Sequence, residues 1–148
     1  MIELREFDDT FLSLSYRWLN DEEIRRLTDT RANVTLSSQI IWYNRIKNNS
    51  AYKIWGIVWD GIPIGACGIK HISNNSGEYW GYIGEKAYWG GKGHQLFNCI
   101  YEKALELGIT SLSLKVLKDN TRALNLYLKE GFVVQEETDD VFLMIKQV

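Results

Sequence analysis

Apolar and polar positions change their period several times along the chain. Residues 2–7 alternate and predict an opening strand. Phe11, Leu14 and Trp18 then recur at i, i+3 and i+7, one face of a helix that Asp9 or Thr10 is placed to cap. A short helix over Asp21–Leu27 follows. A third begins at Ser37, with Ile40, Ile41, Tyr43 and Ile46 on its apolar side. Strand patterns come next. Residues 51–59 run to Asp60-Gly61, a two-residue hairpin signal of the type-I′ kind. Residues 62–73 run to the turn cluster Asn74-Asn75-Ser76-Gly77, and residues 78–84 form a third strand. Gly81 in that strand marks a bulge or a close backbone approach.

Helical spacing returns at Leu96, Ile100, Ala104 and Leu107, with Phe97 widening the stripe and Gly108 ending it. Leu112, Leu114 and Val116 alternate as a half-buried strand. Residues 120–129 read as a helix stopped by Gly131, and residues 132–137 and 141–147 form an antiparallel pair around Asp139-Asp140. A meander joined to a β-α-β-α unit predicts one α/β domain over residues 1–148, with a mixed, mostly antiparallel sheet and helices on both faces.

Composition narrows the function. The chain has 148 residues, 45% of them apolar, enough for one core without staples. Formal charge is −2, and Arg25-Arg26 with Arg31 is diluted by Asp21, Glu22 and Glu23, so nucleic acid is excluded as a partner. No apolar run reaches the ~18 residues of a membrane span, and Met1-Ile2-Glu3-Leu4-Arg5 lacks the pattern of a secretory leader. Cys67 and Cys99 read as buried thiols, too few for a disulfide framework or a metal cage. A cytoplasmic protein without a metal site is the expectation.

Tyr88-Trp89-Gly90-Gly91-Lys92-Gly93-His94 lies between a strand and a helix. Its three glycines let successive N–H groups converge, and the helix adds its own unpaired amides and dipole. Such a nest suits a diphosphate, with Lys92 adding a mobile charge. The same pattern also serves as an ordinary tight turn. It is neither a Walker loop nor a dinucleotide fingerprint, because the spacings differ.

Downstream stands Asn120-Thr121-Arg122-Ala123-Leu124-Asn125-Leu126-Tyr127, followed by Gly131-Phe132. Together with the loop, this resembles the GNAT superfamily of N-acetyltransferases. Gly91-Lys92-Gly93 matches the second half of that family's cofactor loop, while Tyr88 stands where the family carries Arg or Gln. The likeness runs without a gap from Ile83 to Phe132. It implies acetyl-CoA as co-substrate and direct attack of a primary amine on the thioester. A bulge near Ile83 would splay two strands, and free backbone groups there would bind the pantetheine arm and the thioester oxygen. The amides of Tyr88, Trp89, Gly90, Gly91, Lys92, Gly93 and His94 would take the diphosphate, and Asn120 would hold the pantetheine. Tyr127 would protonate the leaving thiolate. On residue chemistry alone, Asn120 reads as a helix cap and Tyr127 as packing.

Glu78 is the candidate base, with His71 in reserve and Glu85 read as surface. Residues 18–25 and 34–42 resemble the N-terminal arm of nucleotide-sugar N-acetyltransferases, with Leu19 in place of a usual Arg and Ile40 in place of a common His. That likeness implies an amino sugar on a nucleotide as acceptor. Trp42, Trp55, Trp59, Trp80 and Trp89 offer stacking faces for a sugar or base, or core packing. Acetylation of a protein N-terminus, of a small amine such as a polyamine or antibiotic, and a catalytically idle acyl-CoA-binding module stay open, as does homodimer formation through an edge strand.

Overall fold

In the computed structural model, which describes residues 1–31 and 33–148, one sheet carries every strand of the described residues. The elements are β1 (Ile2–Glu6), α1 (Asp9–Leu19), α2 (Glu22–Leu27), α3 (Leu36–Ile46), β2 (Lys53–Trp59), β3 (Ile62–Ser73) and β4 (Ser76–Ile83). After them come α4 (Gly93–Glu106), β5 (Ser111–Leu117), α5 (Thr121–Lys129), β6 (Val133–Glu137) and β7 (Val141–Gln147). Strand order is β1-β2-β3-β4-β5-β7-β6, antiparallel throughout except for the parallel β4–β5 pair. The expected α/β plan is therefore present.

Short polar side chains fix the helix starts. Asp8, one residue before the expected cap, accepts from Phe11 N, and Asp21 accepts from Glu23 N and Ile24 N. Thr35 and Ser38 form a reciprocal capping box, starting α3 one residue before Ser37. The buried face of α1 is Phe11, Leu12, Ser15 and Trp18, with Leu14 at its margin. The third helix differs from its expected orientation. Ile40 and Ile41 face solvent, at 41% and 66% exposure, while Gln39 and Ile46 are buried and Trp42 and Tyr43 pack inward. Two aromatic rings cover more area than two isoleucines. Gln39 can go inside because its Nε2 donates to Ser15 Oγ at 2.7 Å.

Asp60 and Gly61 both have positive φ (48° and 84°), as a type-I′ turn requires. The next turn is tighter than expected: Asn74 and Asn75 make it (φ 50° and 65°), and Ser76 and Gly77 already belong to β4. Between Ile57↔Gly65 and Val58↔Pro63, Ile64 is an extra residue. This bulge reverses the alternation of β3, so Ile64, Cys67 and Ile69 all join one core. That core packs under α4 and α5 around Phe97, Ile100, Leu112, Leu114 and Phe132. The other holds Phe7, Phe11, Leu12, Trp18, Ile24, Val58 and Ala66 under the first three helices. Cys67 is fully buried, whereas Cys99 is half-buried with its thiol 3.8 Å from the Ile2 carbonyl.

The helix α1 reaches β2 so closely that Gly56 has no room for a side chain. A Cβ there would stand 2.2 Å from the Phe11 ring. Gly56→Ala is expected to cost about 1–3 kcal/mol, the range for an overpacked core. A melt lowered by several degrees, with far-ultraviolet dichroism retained, is the readout; an unchanged melt would show that α1 is free to lift.

Candidate functional site

β4 and β5 pair only at Ser76↔Ser111, Gly77↔Leu112 and Glu78↔Ser113, and part beyond Glu78. The fork opens a cleft of about 1290 Å³ that reaches from the face of the first three helices to the face of α4 and α5. Backbone freed by the fork is partly satisfied at its far end. The Gly84 and Glu85 N–H groups both reach the Ile64 carbonyl, at 2.7 and 3.1 Å, so the bulge lies across from Ile83 on β3. Trp89 Nε1 donates to the Ile83 carbonyl at 2.8 Å. That carbonyl, expected to be free for a ligand, is therefore already engaged. Gly81 keeps regular register with Cys67 and makes the close approach instead, with a Cβ there meeting the Tyr79 hydroxyl at 2.2 Å.

The glycine loop leads directly into α4. Gly90 and Gly91 have φ of +92° and +73°, the left-handed region that favours glycine. Lys92 caps α4 without a side-chain hydrogen bond, and the first recorded helical bond runs from Leu96 N to the Lys92 carbonyl. The first-turn amides of α4 lack intrahelical acceptors and line the cleft, a cradle fitted to an anion. Lys92 folds back over its own loop, its Nζ 3.4 Å from the Gly90 carbonyl, 4.7 Å from the Trp59 ring and 5.8 Å from that of Tyr88. The loop's other cations flank Trp89: Lys86 at 5.9 Å and Arg122 at 5.7 Å from its ring. Arg122, two residues after Asn120 in the same motif, is the cation that sequence reasoning missed. His94 Nδ1 lies 2.7 Å from Glu130 Oε2.

On α5, Asn120 caps the helix through Oδ1, 3.4 Å from Ala123 N, which leaves its Nδ2 to meet a ligand. Tyr127 packs edge-on against Phe97 and Phe132, at 5.7 and 6.1 Å between ring centres. Its hydroxyl makes no hydrogen bond to the described residues and is not sealed in the core. It opens on the cleft. Burial of the ring pushes its pKa up to about 12, so the phenol keeps its proton. Tyr79, also on the cleft and on the same face, is likewise pushed well above 10, by burial first and by the nearby Tyr127 second. Its place was readable from the alternation Tyr79, Gly81, Ile83.

Glu78 stands at the last paired position of the fork, its side chain 14% exposed, with Lys70 Nζ at 3.7 Å and His71 Nδ1 at 3.5 Å. It faces the first three helices, as do Trp80 and Tyr82. His71 lies in the irregular turn of β3 (φ 55°) with an exposed ring, outside this cleft. Glu85 is half-buried and ties α1 to the end of β4, accepting from Arg17 Nη2 at 2.8 Å and Trp18 Nε1 at 3.1 Å. Of the tryptophans, Trp42, Trp80 and Trp89 line the cleft, while Trp55 and Trp59 pack on the α4 side. Arg26 lines the cleft 3.9 Å from Asp119, Arg31 lies 3.0 Å from Asp29, and Arg25 Nη2 donates to the Arg31 carbonyl at 3.4 Å. Among the described residues no group of three or more His, Cys, Asp or Glu could hold a metal, and no helix is long and apolar enough to cross a membrane.

The sequence profile of the acetyltransferase (GNAT) family matches residues 14–132. Acetyltransferase PseH of Campylobacter jejuni is 27% identical over 152 residues, covering 99% of this chain and 95% of that protein. The solved structure of C. jejuni N-acetyltransferase PseH with acetyl coenzyme A superposes with a TM-score of 0.78 at 23% identity over 99% of both chains. Spermidine N-acetyltransferase of Vibrio cholerae, solved with CoA and spermine, gives a TM-score of 0.87 at 20% identity over 99% of this chain and 95% of that one.

The buried phenol has a consequence in alkali. Tyr127 binds its proton more tightly folded (about 12) than unfolded (10.0), so its contribution is intact below pH 10 and is lost as pH rises toward 12. Denaturant melts between those limits are expected to weaken with pH, and less steeply in Tyr127→Phe. Equal slopes in the two proteins would place the Tyr127 hydroxyl in water.

Proposed function

The chain belongs to the acetyltransferase (GNAT) family, and we propose that it transfers acetyl from acetyl-CoA to the primary amine of a sugar carried on a nucleotide. The observation that carries the transfer chemistry is the fork: an unbonded tyrosine hydroxyl and a carboxylate share one cleft whose far end is an uncapped helix start. The dimensions and donors suit acetyl-CoA. Its diphosphate would lie on the loop of Tyr88, Trp89, Gly90, Gly91, Lys92, Gly93 and His94 with Arg122 alongside. Its pantetheine would meet Asn120 and the backbone near Ile83. Bound there, the thioester supplies an activated acetyl group.

In this reading Glu78 takes a proton from the amine as the N–C bond forms, and Tyr127 gives its proton to sulfur as the C–S bond breaks. A phenol raised to about 12 is a weak acid in water. The same burial raises the pKa of a departing thiol, so donor and acceptor stay matched.

Charge favours a nucleotide sugar over a polyamine or aminoglycoside. The cleft's carboxylates are Glu23, Asp29, Glu78 and Asp119, and each already has a cation within 4 Å: Lys86, Arg31, Lys70 and Arg26 respectively. A polycation would find few uncompensated anions. Lys92, Lys115 and Arg122 also line the cleft, and among the described residues none of them has a carboxylate within ion-pair distance, so a diphosphate would meet cations that need no partner displaced. The peptide reading and the idle-module reading have no comparable support: Tyr127 is retained with an open hydroxyl.

Acetyl-CoA at about 100 times its dissociation constant is expected to stabilise the fold by ~2.7 kcal/mol. A melting temperature indifferent to every CoA thioester removes the proposal. Tyr127→Phe should lower kcat by about 100-fold or more, the scale of a lost general acid, while the acetyl-CoA dissociation constant holds. Thiol release and calorimetry measure the two separately; parallel losses would reduce Tyr127 to packing.

A further inference from the structure

Lys92 begins α4 without a side-chain cap, so the first-turn amides stay free for a ligand. A Ser, Thr, Asp or Asn at that position would take one of them for itself. The freedom has a cost, because a first turn without a cap frays unless something else holds it. The loop before it gives little support: no atom stands within 4 Å of where a Cβ would lie on Gly90 or Gly91. Two contacts come from α5 instead. Gly93 lies against Leu126, where a Cβ would stand 2.5 Å from a side-chain methyl. His94, the next residue, brings Nδ1 to 2.7 Å from Glu130 Oε2.

The two partners in that pair differ. The His94 side chain is 73% exposed and that of Glu130, which ends α5, only 7%. Glu130 is fixed from behind. Tyr101 of α4 donates its hydroxyl to Oε1 at 2.8 Å. Lys146 of β7 donates to the Tyr101 oxygen at 2.9 Å and also to the main-chain carbonyl of Glu130. With Lys146 donating to the phenol oxygen, the Tyr101 proton is directed at the carboxylate. A carboxylate only accepts, so the proton between it and His94 sits on Nδ1. Bonds to an ionised acceptor are about twice as strong as neutral ones. An exposed residue of the cradle is thus fastened to a buried, three-element anchor.

We propose that Glu130 is a positioning residue for acetyl-CoA: through His94 it holds the first-turn amides of α4 in place for the diphosphate without using them up. This inference rests on the reading that seats the diphosphate on the glycine loop. Because α5 also carries Asn120 and Tyr127, the same pair links the seat of the diphosphate to that of the pantetheine and thioester.

Calorimetric titration with acetyl-CoA, beside melts of the ligand-free proteins, tests this. His94→Ala, at an exposed side chain, should leave the ligand-free melt unchanged and weaken acetyl-CoA about tenfold. His94→Asn sets an N–H close to where Nδ1 stands and should recover most of the loss. Glu130→Ala leaves Tyr101 and Lys146 joined and should weaken binding similarly. The double variant should bind no worse than the poorer single one, because the two residues act as one unit. Should Glu130→Ala fail to fold, the two His94 variants decide alone. Undiminished affinity in His94→Ala, no recovery in His94→Asn, or losses that multiply in the double variant overturn the role of Glu130 and leave the cleft reading standing. An unaltered protein that does not bind acetyl-CoA removes the cleft reading itself, and this inference with it.

Discussion

The site depends on three parallel residue pairs between β4 and β5, and on what stops a fourth from forming. Backbone groups past Glu78 and Ser113 must find other partners or stay in water. On β5 the opposite edge is bonded to β7 along its whole length, from Ser111↔Gln147 to Leu117↔Val141. On β4 the Ile83 carbonyl takes the Trp89 indole, while the following amides turn to Ile64. Extending the β4–β5 ladder to the end of β4 would compete with the Trp89 indole for the Ile83 carbonyl.

A strand sends successive side chains to opposite faces, and the fork converts that rule into chemistry. Glu78 faces the first three helices, while Tyr79 faces α4 and α5 beside Tyr127. Adjacent residues therefore present a carboxylate to one half of the cleft and a phenol to the other. The bulge at Ile64 keeps the arrangement consistent across β3. It returns Ile64 to the α4 side and leaves Ala66 under the first three helices. Two cores are thereby held apart on the two faces of the sheet.

Much of this was legible where one physical rule acted alone. Period two gave the strands, i, i+3 and i+4 spacing gave α4, and glycine at positive φ marked Gly61, Gly91, Gly108 and Gly131. Motif spacing brought the loop, Asn120 and Tyr127 to one cleft. What escaped depends on competition between neighbours. Ile40 and Ile41 lose the inward face of α3 to Trp42 and Tyr43, which hydrophobicity alone does not rank. The turn of Lys92 toward Trp59 and the engagement of Ile83 by Trp89 are contacts between elements, with no local signature.

One constraint then serves both ends of the transfer. Removing water from an ionisable group disfavours its charged form, raising phenols and lowering amines. The cleft does the first to Tyr52, Tyr79 and Tyr127, all held above the ordinary value of 10 by burial. A primary amine, with a reference pKa of ~10.4, must lose its proton before it can attack. The enclosure that keeps these phenols protonated thus also moves an entering amine toward its neutral form. In the proposed reading Glu78, facing that side and flanked by Lys70, takes a remaining proton of the neutral amine as it attacks.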